Sequence, residues 1–122
     1  MRKRVVPVLV ALLAGCGGPA AEEEAAQPAI TTPFDAEYRA ASEEFGVPFE
    51  LLRGMGAAQS AHHRIDAARS ESGQAGVMGL QPEAITEAAR LLHLPEATVA
   101  GYDRANVRAA AALVADRRLR GD

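Results

Sequence analysis

Residues 59–71 concentrate the side chains that could move protons or hold a metal: Gln59, Ser60, His62, His63, Asp66 and Glu71. His63 and Asp66 are three apart, the spacing that puts two side chains on one helix face, and with His62 they raise the question of a divalent metal. A zinc site needs three or four ligands in fixed geometry, and the remaining histidine, His93, falls on a different predicted helix. The pattern fits polar surface histidines better, so no metal and no other cofactor is expected. Acid–base chemistry is the other possibility. Asp66 and Glu71 follow Gln59 in a segment rich in Gly, Ser and charge. A general acid at neutral pH is a carboxyl whose proton is held by burial or by a neighbouring negative charge. Exposed loop carboxylates lack both, and solvated charges are the expectation for this pair. Gln59 exchanges hydrogen bonds but cannot release a proton at any relevant pH. No Ser–His–Asp arrangement, phosphate-cradling glycine loop or cysteine nucleophile is found, and the single cysteine, Cys16, lies far from this stretch.

The elements that must position these residues read as helices. Asp35 is expected to cap a first helix through about Glu44, with Tyr38, Ala41 and Phe45 on one face and Gly46 ending it. Pro48 opens a second helix, where Leu51, Leu52, Met55 and Ala58 form an apolar stripe. Gly54 and Gly56 interrupt that helix, each disfavoured by about 0.5–1 kcal/mol relative to Ala, and are expected to admit a neighbouring backbone. A loop follows over 61–79. Pro82 starts a third helix with Ile85, Ala88, Ala89 and Leu92 inward; Pro95 starts a short turn of helix over 96–100. Asp103 caps a last helix with Val107, Ala110, Ala111 and Val114 on one side and Arg117, Arg118 and Arg120 near its end, where cations complement the helix dipole. No segment alternates with period two over a strand's length. The expected fold class is all-α, a small helical domain.

Composition agrees. The chain has 122 residues, enough for one small domain, and its 48% hydrophobic content is largely alanine, with no Trp, three Phe and two Tyr. That suits an alanine-rich bundle and not a β-sandwich. The start, MRKRVVPVLVALLAG, sets three cations before about eleven apolar residues, the layout of an export signal and too short to span a membrane. Leu13-Ala14-Gly15-Cys16 follows, a lipobox-like sequence in which the thiol of Cys16 would take a diacylglycerol. A lone exported cysteine cannot form an internal disulfide, which favours the same reading. Residues 1–15 are thus expected to be a lipoprotein signal peptide, and 16–33 a lipidated cysteine and flexible linker carrying the solvated acidic run Glu22 to Glu24. Residues 34–120 are expected to form the helical domain. The chain carries 13 basic and 16 acidic residues, net −3; losing Arg2, Lys3 and Arg4 on processing deepens the deficit. Nucleic acid is excluded as a partner on this balance, since phosphate binding depends on clustered Lys and Arg.

Taken together, FGVPFELLRGMGAAQS, AGVMGL and YDRANVRAAAALV resemble the lytic transglycosylase and goose-type lysozyme superfamily. Gly46-Val47-Pro48, Leu51-Leu52 and Ser60 match the family's first motif; Gly76, Val77 and Met78 match its glycine-led loop; Asp103, Asn106 and Val107 match the segment opening a later helix. The resemblance covers about Phe34 to Leu119. On FGVP, GVM and AARLLHLPEATVAGYDRANVRAAAALV the chain is more similar still to the lysozyme-like segment at the front of some exported N-acetylmuramoyl-L-alanine amidases. The resemblance implies a lysozyme-like helical domain that is incomplete, because the family's later Ala-Tyr-Asn helix and the amidases' zinc domain would fall beyond Asp122. It also implies that Gln59, Ser60, Gly76, Val77 and Met78 contact glycan, and that Gln59 stands where the family keeps its catalytic Glu. A family Gln is likewise replaced by Gly79.

Positioned acid–base catalysis typically contributes about 10²- to 10⁴-fold, so an amide at that place implies negligible turnover. The expected protein is a lipoprotein of the bacterial cell envelope, held on the extracytoplasmic side of a membrane through Cys16. Its degenerate, inactive transglycosylase-like domain would associate with peptidoglycan glycan strands. The alternatives are an active muramidase or transglycosylase using Asp66 or Glu71 as its acid, the front part of an amidase, and a purely structural lipoprotein or gene fragment.

Overall fold

The computed structural model describes residues 31–121; the signal segment, Cys16 and the linker through residue 30 lie outside the described residues. Among the described residues there are five α-helices: α1 Asp35–Phe45, α2 Phe49–Ser60, α3 Pro82–Leu92, α4 Glu96–Gly101 and α5 Asp103–Leu119, with a 3₁₀ turn at Ala67–Arg69. The domain is all-α, as the periodicity predicts. The only pairings of extended backbone described are two isolated antiparallel bridges, Ile65 with Gly76 and Ala75 with Leu80. No described helix is long and apolar enough to cross a membrane.

The last helix organises the rest. From Ala105 to Ala112 every residue of α5 except Arg108 is buried, and α5 touches each of the other four helices. A run of alanines makes this possible: a helix sheathed in methyl groups lets neighbours approach on several sides, whereas larger side chains would hold them off. Bulk comes from few residues, chiefly Tyr38, Val47, Leu52, Val77, Met78, Val99 and Val107, all almost completely buried. At the rim, Arg108 grips Glu44 of α1 through both carboxylate oxygens, at 2.8 and 2.7 Å, and the guanidinium draws the Glu44 carboxyl below its ordinary range.

Helix boundaries follow local chemistry, with some corrections. Gly46, at φ +67°, closes α1 in the left-handed conformation that suits glycine. Gln81 precedes Pro82 at the first position of α3, where proline's missing N–H is harmless. Asp35 and Asp103 are not caps: each is the first helical residue, behind Phe34 and Tyr102. Their carboxylates serve other partners, Thr32 Oγ1 at 2.7 Å and Arg64 at 2.6 and 2.8 Å. The α2 stripe is rotated from the one predicted. Leu52 and Gly56 are its buried residues, Leu51 is 43% exposed, and Ala58 faces solvent.

The two glycines of α2 differ in role. Gly54 has open space where a Cβ would stand, but a Cβ on Gly56 would lie 2.0 Å from the Tyr38 hydroxyl oxygen. Gly56 therefore admits a side chain, the phenol of Tyr38, and not another backbone. That buried phenol shares a 2.7 Å hydrogen bond with His62 Nδ1. Ala61 and His62, at φ 52° and 60°, both sit in the left-handed region, at about 1–2 kcal/mol each for L-residues, and this turn brings the imidazole back over α2.

Burial pushes the Tyr38 hydroxyl up to about 12. Because the unfolded phenol ionises near its ordinary value of 10, the stabilisation from keeping Tyr38 neutral is complete below pH 10 and is lost as the pH rises toward 12. A titration following phenolate absorbance together with far-ultraviolet circular dichroism is expected to show helix loss over this interval. Ionisation of Tyr38 at its ordinary value, with the helices intact, would contradict this packing.

Candidate functional site

The predicted site residues come together at the C-terminal end of α2. The segment 75–80 passes beneath it, and its position is fixed by one buried side chain. Asn106 of α5 is completely buried. Its Nδ2 donates to the carbonyls of Ala75 and Val99, each at 3.1 Å, and its Oδ1 accepts from Met78 N–H at 2.8 Å. One amide thus pairs Met78 N–H of the buried loop and the Val99 carbonyl of α4, and adds a second donor to the Ala75 carbonyl, which also accepts from Leu80 N–H at 3.0 Å. Gly76 makes the close approach possible, since at φ +79° a Cβ there would fall 2.1–2.3 Å from the Asn106 amide.

Ser60 ties the helix to this segment. Its hydroxyl lies 2.5 Å from Val77 O and 3.1 Å from Gly56 O, and accepts from His63 N–H at 3.2 Å. Gln59, one residue earlier, is exposed. Beneath it sits Gly79, at φ +55°, where an added Cβ would stand 3.0 Å from Gln59 Cβ and 3.5 Å from Ile65 Cδ1. Positions 59 and 79 are therefore in contact with each other. Backbone conformation and the Gln59 side chain both oppose any larger residue at 79.

The other predicted residues separate. Gly76, Val77 and Met78 are buried, the last two among the core side chains, so their contribution to this surface is positional. His62 is occupied by Tyr38; His63 is exposed; Asp66 caps the 3₁₀ turn by accepting from Ala68 N–H at 3.0 Å. Among the described residues no three His, Cys, Asp or Glu side chains gather in a metal-binding group. Glu71 is exposed on the loop. The loop is more ordered than its composition suggests, being pinned by Asn106, by the Ile65–Gly76 bridge and by the bidentate pair of Arg64 with Asp103.

Chemically, the arrangement presents a hydrogen-bonding amide on a rigid platform. Gln59 can accept and donate but has no proton to deliver. Compared with family models, curated proteins and solved structures, the chain matches none.

Proposed function

We propose that this chain is an envelope lipoprotein, anchored through lipidated Cys16, whose lysozyme-like domain contacts the glycan strands of peptidoglycan without cleaving them. The observation that carries the reading is the exposed Gln59 amide at the end of α2, on the platform formed by Ser60 and the buried 75–80 segment. The resemblance in the three motifs gives that place its meaning: where a glycan-cutting relative keeps a carboxylic acid, this chain holds a neutral donor and acceptor. Such a group suits binding of sugar hydroxyl and acetamido groups, and it removes the step in which the leaving oxygen is protonated.

Mixed with insoluble sacculi and centrifuged, purified residues 17–122 are expected to sediment with the pellet, and Gln59→Ala to weaken this by about three- to tenfold, the loss of one or two hydrogen bonds. Protein left wholly in the supernatant would remove the glycan-binding part of the reading.

A further inference from the structure

A hollow of about 440 Å³ opens beside Gly76, lined by Arg64, Asp66, Ala97, Ala100, Tyr102 and Asp103 among others; Gln59, Ser60 and Gly79 are not in its wall. Its volume falls within the roughly 300–1,000 Å³ of small-molecule sites. Ala97, Ala100 and Gly101 of α4 supply a floor of small residues. Tyr102 is 66% exposed, although its backbone is held on both sides: its N–H donates to Thr98 O at 3.0 Å and its carbonyl accepts from Asn106 N–H at 2.8 Å. An aromatic ring is thereby presented to solvent from a fixed position, one of five aromatic side chains in the whole sequence.

The polar groups narrow the ligand. Arg64 uses Nε and Nη2 on Asp103, two of a guanidinium's five donor hydrogens. Asp66 takes one N–H, from Ala68, on a carboxylate with about four acceptor positions. Capacity to donate and to accept therefore remains on the rim. The cation on the wall is matched, Arg64 by Asp103 with Glu37 also acting on it, and Asp66 is paired with Arg69 at 3.8 Å, so no unmatched positive charge draws in an anion. A flat aromatic face, an apolar floor, and donors and acceptors without excess charge complement a neutral ring that has an apolar C–H face and hydroxyl edges.

We propose that this hollow binds a neutral pyranose, with the Tyr102 ring against the sugar's C–H face and Asp66 and Arg64 receiving its hydroxyl groups. The choice of an N-acetylated amino sugar as ligand rests on the glycan-binding reading above; the preference for a neutral ring over an anionic one rests on the hollow alone.

The test is ligand-observed NMR of the full-length protein in detergent micelles with chitotriose, a neutral N-acetylglucosamine trimer, and glucuronic acid as the anionic comparison. Chitotriose is expected to bind and glucuronic acid to bind more weakly. Tyr102→Ala is expected to weaken chitotriose binding about tenfold, the loss of one aromatic contact with its buried area. Asp66→Asn keeps an oxygen for the Ala68 cap and is expected to weaken binding severalfold; Ala97→Phe, at an exposed position, fills the hollow and abolishes binding. Glu43→Ala, at an exposed position of α1 outside the wall of the hollow, leaves it within about twofold, as expected for independent sites. Circular dichroism melts matching the parent identify the variants that remain folded. Binding that survives Tyr102→Ala, Asp66→Asn and Ala97→Phe but falls with Gln59→Ala would overturn the hollow while leaving the glycan-binding reading in place. Sacculus sedimentation without chitotriose binding would do the same, and absence of both would remove both.

Discussion

Asn106→Ala is expected to lower the unfolding free energy by about 2–5 kcal/mol, because buried polar groups left without partners lose about 1–3 kcal/mol each. The substitution strands Met78 N–H and the Val99 carbonyl and leaves the Ala75 carbonyl only its bond from Leu80 N–H, and all three residues are 2% exposed or less, so water cannot replace the amide without opening the core. Small domains have about 5–15 kcal/mol in all, and one built largely on alanine belongs near the lower end. The variant should lose most of its cooperative melt in urea. Asn106→Asp, which keeps the acceptor for Met78 N–H but removes both donations and buries a charge, should be no better. A loss below about 1 kcal/mol, the net worth of a single ordinary hydrogen bond, would show that the loop is not held in this way.

Gly56→Ala and Gly54→Ala, two residues apart in one helix, are expected to act in opposite directions. At Gly56 the new methyl would stand 2.0 Å from the Tyr38 hydroxyl and 2.9 Å from Cζ. The phenol has no exposure through which to escape, so α2 must shift from α1 or Tyr38 must give up His62. Overpacking of this kind is unfavourable by about 1–3 kcal/mol, and the broken hydrogen bond adds about 1. At Gly54 nothing lies within 4 Å of the added carbon, and alanine stabilises an exposed helix interior by about 0.4–1 kcal/mol. Adding Tyr38→Phe to Gly56→Ala removes the closest clash. The double variant should then exceed the stability expected from summing the single changes by at least about 1 kcal/mol, a coupling typical of residues in contact. Additive behaviour, or equal effects at 54 and 56, would contradict the described α1–α2 packing.

That pair of glycines also shows what the sequence could and could not tell. Helix existence was legible because apolar residues recur at helical spacing over α1, α3 and α5, with Gly46 marking the end of α1 and Pro82 the start of α3. The buried face of α2 was legible only in part: of the stripe Leu51, Leu52, Met55 and Ala58, Leu52 is buried and Met55 packs on the core, but Leu51 and Ala58 are exposed and the buried line passes through Gly56, which has no side chain to give a signal. Asp35 and Asp103 were plausible caps by residue type, yet their partners, Thr32 and Arg64, decide their roles, and Arg64 lies 39 residues from Asp103. The loop over 61–79 suffered most. Its order comes from Asn106, 28–31 residues away, and no local pattern reveals a side chain that will satisfy distant backbone groups. At the candidate site the motifs pointed to Gln59, Ser60, Gly76, Val77 and Met78. Three-dimensional placement then separated the exposed Gln59 from residues that hold the platform beneath it, and it brought Gly79 into contact with Gln59.

Whether the chain breaks glycosidic bonds separates a sugar-binding surface from a working enzyme most directly. Purified protein incubated with sacculi at neutral pH, with soluble muropeptides and anhydro-sugar products followed by chromatography, is expected to release none above a protein-free control, because the amide of Gln59 supplies no proton. Release that Asp66→Asn or Glu71→Gln abolishes would contradict this by revealing a carboxyl group that protonates the leaving oxygen.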